Sequence, residues 1–210
     1  MRKLKISEIF YSIQGEGPQL GMPAVFIRTS GCNLDCVWCD SKYAKKGEKK
    51  TIEEIVNDVK SFNVPNIIIT GGEPMIQPQI EKLIKSFTKN KVYIETNGTI
   101  YNSKLIGFAT FIVSPKLQYM NDEYKKCIEQ WKNHCIFKFV VGNRKDFMEI
   151  LDFCEELQIK DHVYMMPKGM DKQTLKRRTP ILINLIKDYA PHFRFSPRFH
   201  IMVYGNERGK

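Results

Sequence analysis

The sequence predicts an α/β protein folded as a partial, incomplete parallel β/α barrel of about six strands, in one domain over residues 1–210. Three observations carry that expectation. Six short runs rich in β-branched and aromatic residues recur at 24–29, 66–70, 91–96, 109–114, 136–141 and 162–166. Several are continuously apolar, as strands buried on both faces of a parallel sheet are. Segments with one apolar helical face separate them, and strand–helix alternation of one hand builds a parallel sheet. Six strands fall short of the eight of a closed barrel.

The elements follow in order. AVFIRT is the first strand. In TIEEIVNDVKSF, Thr51 and Glu54 have capping-box spacing, and Ile52, Ile55, Val56, Val59 and Phe62 share a helical face. After NIIIT the same period returns in Ile80, Leu83, Ile84 and Phe87. KVYIET, ATFIVS and IFKFVV follow, then a helix over about 146–157 and the strand HVYMM. The final FRFSP and FHIMVYG are expected either to add a strand or to cover the mouth of the site. Polar motifs stand where strands end: Cys32 after the first, GGEP (71–74) after the second, Thr96-Asn97-Gly98 after the third, Ser114-Pro115-Lys116 after the fourth. Parallel barrels place their sites at that edge, so the four motifs converge on one cavity.

A chain of 210 residues buries most of its apolar surface without cross-links. With 42% hydrophobic and 27% charged residues its composition is that of a soluble globular protein. No apolar run reaches the ~20 residues that span a bilayer. MRKLKISEIF lacks the apolar stretch of a secretory signal, so a cytoplasmic location is expected. The net charge of +10 comes from scattered lysines (Lys45, Lys46, Lys82 and Lys125 among them) that are not interleaved with aromatics, which argues against nucleic acid. A solvated basic surface fits, as does steering of an acidic flavodoxin-like or ferredoxin-like electron donor or of an anionic substrate.

Three of the six cysteines, Cys32, Cys36 and Cys39, stand in GCNLDCVWCDS. Cubane iron–sulfur clusters take four thiolates. Three on one loop hold three irons and leave the fourth open to a substrate or cofactor. A structural zinc site wants four ligands, and no fourth Cys or His lies nearby in sequence. Trp38 between the last two cysteines is placed to shield such a cluster. Cys127, Cys135 and Cys154 have no ligand spacing and are expected to be structural.

The triplet CxxxCxxC, followed by Gly71-Gly72-Glu73-Pro74, resembles the radical S-adenosylmethionine (SAM) superfamily. EIFYSIQGEGPQLGMPAVFIRTSGCNLDCVWCDS, with ETNG, SPK, MPKG and SPRFH…GNERG, is similar to the 7-carboxy-7-deazaguanine synthase family over essentially the whole chain. The resemblance implies a 4Fe-4S cluster on Cys32, Cys36 and Cys39, with SAM on the open iron. It implies SAM contacts from Trp38, Cys39, Asp40, Gly72, Glu73, Gly98, Ser114, Pro115 and Lys116, and from Met166, Pro167, Lys168 and Gly169. It implies that a small pterin, 6-carboxy-5,6,7,8-tetrahydropterin, meets Ile13, Gln14, Gly15, Glu16, Arg28, Thr96 and His200. Glu16 and Arg28 are then the catalytic candidates, Arg28 for the substrate carboxylate and Glu16 for a proton as ammonia leaves. Ser41, by itself a helix N-cap, is implied as a Mg²⁺ ligand. The implied reaction is a radical ring contraction to 7-carboxy-7-deazaguanine in queuosine or deazapurine biosynthesis, by a homodimer.

Two departures stand out. The family's Gln before Pro is here Met165-Met166-Pro167, which leaves only a backbone contact there. Ten residues follow His200, which puts in doubt whether the chain end at Lys210 reaches the substrate. The alternative carried with this reading is a radical-activating enzyme acting on a partner protein, which would share the cysteines and GGEP.

Overall fold

In a computed structural model, which describes residues 3–205 and 207–210, β1 (Leu4–Ile13) pairs antiparallel with β2 (Pro23–Thr29). The short β3 (Glu48–Lys50) lies on the far side of β1, also antiparallel. From β2 the sheet runs parallel through β4 (Asn66–Gly71), β5 (Lys91–Thr96), β6 (Thr110–Val113), β7 (Cys135–Val141), β8 (Val163–Pro167) and β9 (Arg194–Phe195). The order β3-β1-β2-β4-β5-β6-β7-β8-β9 leaves β3 and β9 at opposite edges, so the barrel is open. All six expected strands form, and the partial-barrel expectation holds.

Among the described residues the sheet is accompanied by six α-helices: α1 (Ile52–Lys60), α2 (Ile80–Ser86), α3 (Asp122–Trp131), α4 (Arg144–Glu156), α5 (Lys172–Tyr189) and α6 (Phe199–Tyr204). α1 begins with the expected box. Thr51 Oγ1 accepts from the Glu54 amide at 3.2 Å, and the Glu54 carboxylate accepts from the Thr51 amide at 2.6 Å. Phe62 departs from its expected face: it lies beyond the last turn and is 37% exposed.

Period two decides which way each strand residue points. Ile27, Ile69, Ile94, Phe137 and Phe139 enter the main core beneath the helices. Their neighbours face the concave side of the sheet. There Phe26 and Ile68 pack with Phe10, Met22 and Tyr93 in a second, smaller cluster. Closer to the strand ends the same face carries Arg28, Thr70, Glu95 and Lys138, which line a cavity. The concave face is thus apolar at its base and charged at its mouth.

Candidate active site

The cavity, of about 260 Å³, gathers most of the residues singled out in the sequence. One wall is the β1–β2 connection, with Ile13, Gln14, Gly15 and Glu16. The cysteine loop gives the second, with Cys32, Cys36, Trp38, Cys39, Asp40 and Ser41. Arg28, Gly72, Thr96, Ser114, Lys116 and Met166 enter from the strand ends. His200 on α6 and Lys210 of the tail also line it, so the tail does return to the cavity.

Six of the expected residues stand behind that lining. Glu73 is fully buried, and its carboxylate accepts from the Met75 amide (2.9 Å), the Thr96 hydroxyl (2.7 Å) and the Asn97 amide (2.6 Å). Burial dominates and pushes its carboxyl above the usual range despite those donors. Glu73 therefore braces the β4 and β5 ends, and its side chain has no free face for a ligand. Gly98 has φ +84°, and a Cβ there would meet Val113 at 2.6 Å. Pro115 and Pro167 are buried. The Lys168 ammonium lies 5.0 Å from the Trp38 ring centroid, and the Gly169 carbonyl is taken by Arg198 at 2.5 Å.

GGEP approaches the cysteine loop backbone to backbone. The Gly72 amide donates to Thr29 O at 3.1 Å and the Glu73 amide to Gly31 O at 2.8 Å. A Cβ on Gly72 would lie 1.9 Å from Gly31 O. These two bonds commit the turn's amides to the end of β2 and to Gly31, and Gly71 and Gly72 line the cavity beside them.

The residues present fit an iron–sulfur cluster. Three thiols share one wall. The Leu34 amide and the Asn97 side-chain amide donate toward Cys32 Sγ at 3.4 and 3.9 Å, the kind of contact that tunes cluster sulfur. Burial raises the Cys32 and Cys36 thiols above their ordinary pKa, so they bind metal with release of protons. Trp38 is half-buried, and Lys116 and Lys168 approach its ring at 5.6 and 5.0 Å.

Between the walls runs a charged network that sequence reasoning missed. Lys138, 5% exposed, donates to Glu16 Oε2 at 2.9 Å and Glu95 Oε1 at 2.8 Å. Arg198 donates from Nε to Glu16 Oε1 at 2.9 Å and from Nη2 to Asp40 Oδ2. Glu95 also accepts from Thr70 Oγ1 (2.8 Å) and Gln14 Nε2 (3.2 Å). One signal was available: Lys138 is a lone charge inside the apolar run IFKFVV.

Burial alone would raise the Glu16 carboxyl, but the Lys138 ammonium and the Arg198 guanidinium outweigh it and hold the group well below the carboxylate range. Glu16 is a permanent anion at neutral pH and a poor proton acceptor. That departs from the proton role expected of it. Burial lowers the His200 pKa more than nearby Glu16 raises it, which leaves the imidazole neutral 3.7 Å from that carboxylate. Because Glu16 is depressed in the folded state, its stabilisation is present above the unfolded value near ~4.3 and drains as pH falls below it. Urea midpoints are therefore expected to fall more steeply between pH 6 and pH 3 (roughly the window set by that value) in the native chain than in Glu16→Gln. Parallel curves would refute the linkage.

Arg28 lines the cavity with its Nε bound to Glu8 Oε1 at 2.6 Å and its guanidinium 5.6 Å from both the Phe10 and Tyr43 rings. Gln14 spends its side chain internally, on the Glu16 amide and on Glu95. Ser41 precedes a short 3-10 turn, but its hydroxyl makes no cap bond and donates to Asp40 Oδ1 at 2.8 Å.

Comparison with known proteins agrees with this geometry. Residues 26–181 match the model of the Radical SAM superfamily. A 7-carboxy-7-deazaguanine synthase of Hyperthermus butylicus is 32% identical, over 95% of this chain and 92% of its own length. One of Neisseria meningitidis is 36% identical, over 93% and 91%. A crystal structure of QueE from Escherichia coli shares the fold with a TM-score of 0.73 at 23% identity, covering 94% of this chain and 95% of that one. The superfamily carries a 4Fe-4S cluster and SAM. A cysteine loop braced by GGEP, at the strand ends of an open parallel barrel and over a continuous match to these relatives, makes the chain a member of the radical SAM superfamily and, within it, of the 7-carboxy-7-deazaguanine synthase family.

Proposed function

We propose that the chain, as one domain over residues 1–210, is a radical SAM carbon–nitrogen lyase. It contracts the ring of 6-carboxy-5,6,7,8-tetrahydropterin to 7-carboxy-7-deazaguanine with loss of ammonia, in queuosine or deazapurine biosynthesis. The observation that carries this reading is the shared cavity: the three thiols and a set of small-molecule polar groups face each other across it. Cys32, Cys36 and Cys39 would hold the cluster, which with bound SAM would supply one-electron radical chemistry at the substrate.

The chain's own residues bind, orient and exclude water. Arg28 is the cation for the substrate carboxylate, with Glu8, Phe10 and Tyr43 fixing its plane. Ile13, Gln14, Gly15 and Thr96 supply the rim for the bicyclic ring, and Glu16 holds that rim through its ion pairs. His200 adds a neutral imidazole to the same rim, 3.7 Å from the Glu16 carboxylate. Trp38, Lys116, Ser114 and Gly72 line the SAM side. Ser41 would hold Mg²⁺ together with water and the substrate carboxylate, an arrangement this ion favours. A homodimer, an acidic electron donor and a cytoplasmic location complete the proposal. Among the described residues, no helix is long and apolar enough to cross a membrane.

A radical-activating enzyme needs a mouth open to a protein segment. Here His200 and Ile201 of α6 and the tail residues Glu207, Gly209 and Lys210 join the cavity lining, in a cavity of about 260 Å³ that suits a small guest. The test is anaerobic reconstitution with iron and sulfide, then incubation with SAM, dithionite, Mg²⁺ and the carboxylated pterin, reading product mass. No deazapurine product would refute the assignment. Arg28→Ala is expected to raise the pterin KM ~10–100-fold, the value of one charge-assisted contact, while SAM cleavage uncoupled from product persists. An unchanged KM would remove Arg28 from the substrate site.

A further inference from the structure

Arg198 is 5% exposed, and all three of its guanidinium nitrogens are committed, each to a different segment of the cavity wall. Nε donates to Glu16 in the β1–β2 connection at 2.9 Å. Nη2 donates to Asp40, the residue after Cys39. Nη1 donates to the Gly169 carbonyl in the β8–α5 connection at 2.5 Å. The backbone reinforces the junction: the Phe199 amide donates to Gly15 O at 2.8 Å, and the Gly17 amide to Ser196 Oγ at 2.7 Å. A Cβ on Gly15 would come within 2.4 Å of His200 Nδ1, so Arg198 and α6 press directly on the β1–β2 connection.

These three segments come from widely separated parts of the chain, and no strand pairing joins them at the mouth. One planar cation does. Because its nitrogens are fixed in one plane, moving any one acceptor reorients the fork against the other two. We propose that Arg198 is a positioning residue that couples the two halves of the cavity. A ligand that orders the cysteine loop and the 166–169 segment thereby preorders the 13–16 segment for the second ligand, and the reverse holds equally. The identity of the two ligands, SAM and the carboxylated pterin, rests on the proposed function; the coupling is an addition to it.

The test uses the reconstituted holoprotein without reductant, so that nothing turns over. SAM affinity is measured with and without saturating carboxylated pterin. In the native chain the pterin is expected to tighten SAM binding within the ~5–150-fold range of site-to-site coupling. In Arg198→Lys, which keeps the charge but not the fork, each ligand alone should bind within about threefold of native, and the mutual tightening should fall below about twofold. With reductant, the ratio of 5′-deoxyadenosine to product should rise. Arg198→Lys that keeps the native coupling factor overturns the proposal. So does loss of both single affinities in step with the melting temperature, which marks a merely structural role. Should the variant fail to fold, amide exchange on the native protein decides: SAM alone must slow exchange over residues 14–17, and its failure to do so refutes the coupling. That last arm holds even if the pterin proves not to be the substrate, a failure that absent product in the turnover assay reveals separately.

Discussion

Lys138→Met is expected to lower the melting temperature by roughly 6–20 °C. Removing one partner of a buried ion pair costs ~3–5 kcal/mol, and for a chain of this size each kcal/mol moves the midpoint ~2–4 °C. Lys138 is 5% exposed and Glu16 8%. Its ammonium sits between two carboxylates, at 2.9 and 2.8 Å. Burial would by itself discharge the lysine, but Glu16 and Glu95 hold its pKa above the ordinary value. Below that ordinary value the ammonium contributes at full strength, and Glu16 does so above ~4.3, so the loss should be seen across neutral pH. Methionine fills the space and leaves Glu95 with only Thr70 and Gln14 as donors. The double variant Lys138→Met with Glu95→Gln should recover part of the loss, because the stranded charge has gone. A single-variant loss under ~1 kcal/mol, the value of an exposed pair, would show that the network is solvated and the account wrong.

Gly72→Ala is the second large effect, and it should strike the chemistry more than the fold. The added methyl would sit 1.9 Å from Gly31 O and 2.5 Å from Gly31 C, both backbone atoms that no side-chain rotation can clear. Overpacking of this kind costs ~1–3 kcal/mol. The strain falls on the residue that precedes Cys32, because Gly31 O also receives the Glu73 amide. Displacing a positioned group by ~1 Å costs on the order of 10²-fold in rate. Iron per chain after reconstitution and turnover are both expected to fall, with thermal stability changed only modestly. Full iron loading with native turnover would mean that GGEP does not position the cysteine loop.

How far the sequence alone carried the fold is clearest in particular segments. NIIIT and IFKFVV announced buried strands, because sustained β-branched and aromatic runs have few other uses in a chain of this composition. Thr51 and Glu54 marked the start of α1, because a capping box is a local bond pattern and needs no tertiary partner. α3 and α5 were not anticipated. α5 opens with KQTLKRRT, whose Lys, Gln, Leu and Arg favour a helix, but Pro180 in its interior breaks the local signal, and packing against β8 and β9 supports the continuous helix. β1 was missed because LKISEIFYSI has mixed character and forms its strand by pairing with β2 and β3.

The site divides along the same line. The cysteine spacing, GGEP and the polar residues at successive strand ends are short-range facts, and a parallel sheet sends all its strand ends to one edge. From them the convergence on one cavity followed, while the chemistry and most of the lining residues came with the resemblance to a known family. Ion-pair partners are set by distance across the barrel. Lys138 and Glu16 are far apart in the chain and 2.9 Å apart in space, and no local pattern encodes such a meeting. Only the tertiary structure could make Glu16 a fixed anion where a proton carrier was expected, set Glu73 as a brace, and bring Arg198 to three loops at once. A side chain's charge state and task depend on which distant groups share its low-dielectric surroundings, whereas the type of chemistry depends on which atoms the chain supplies.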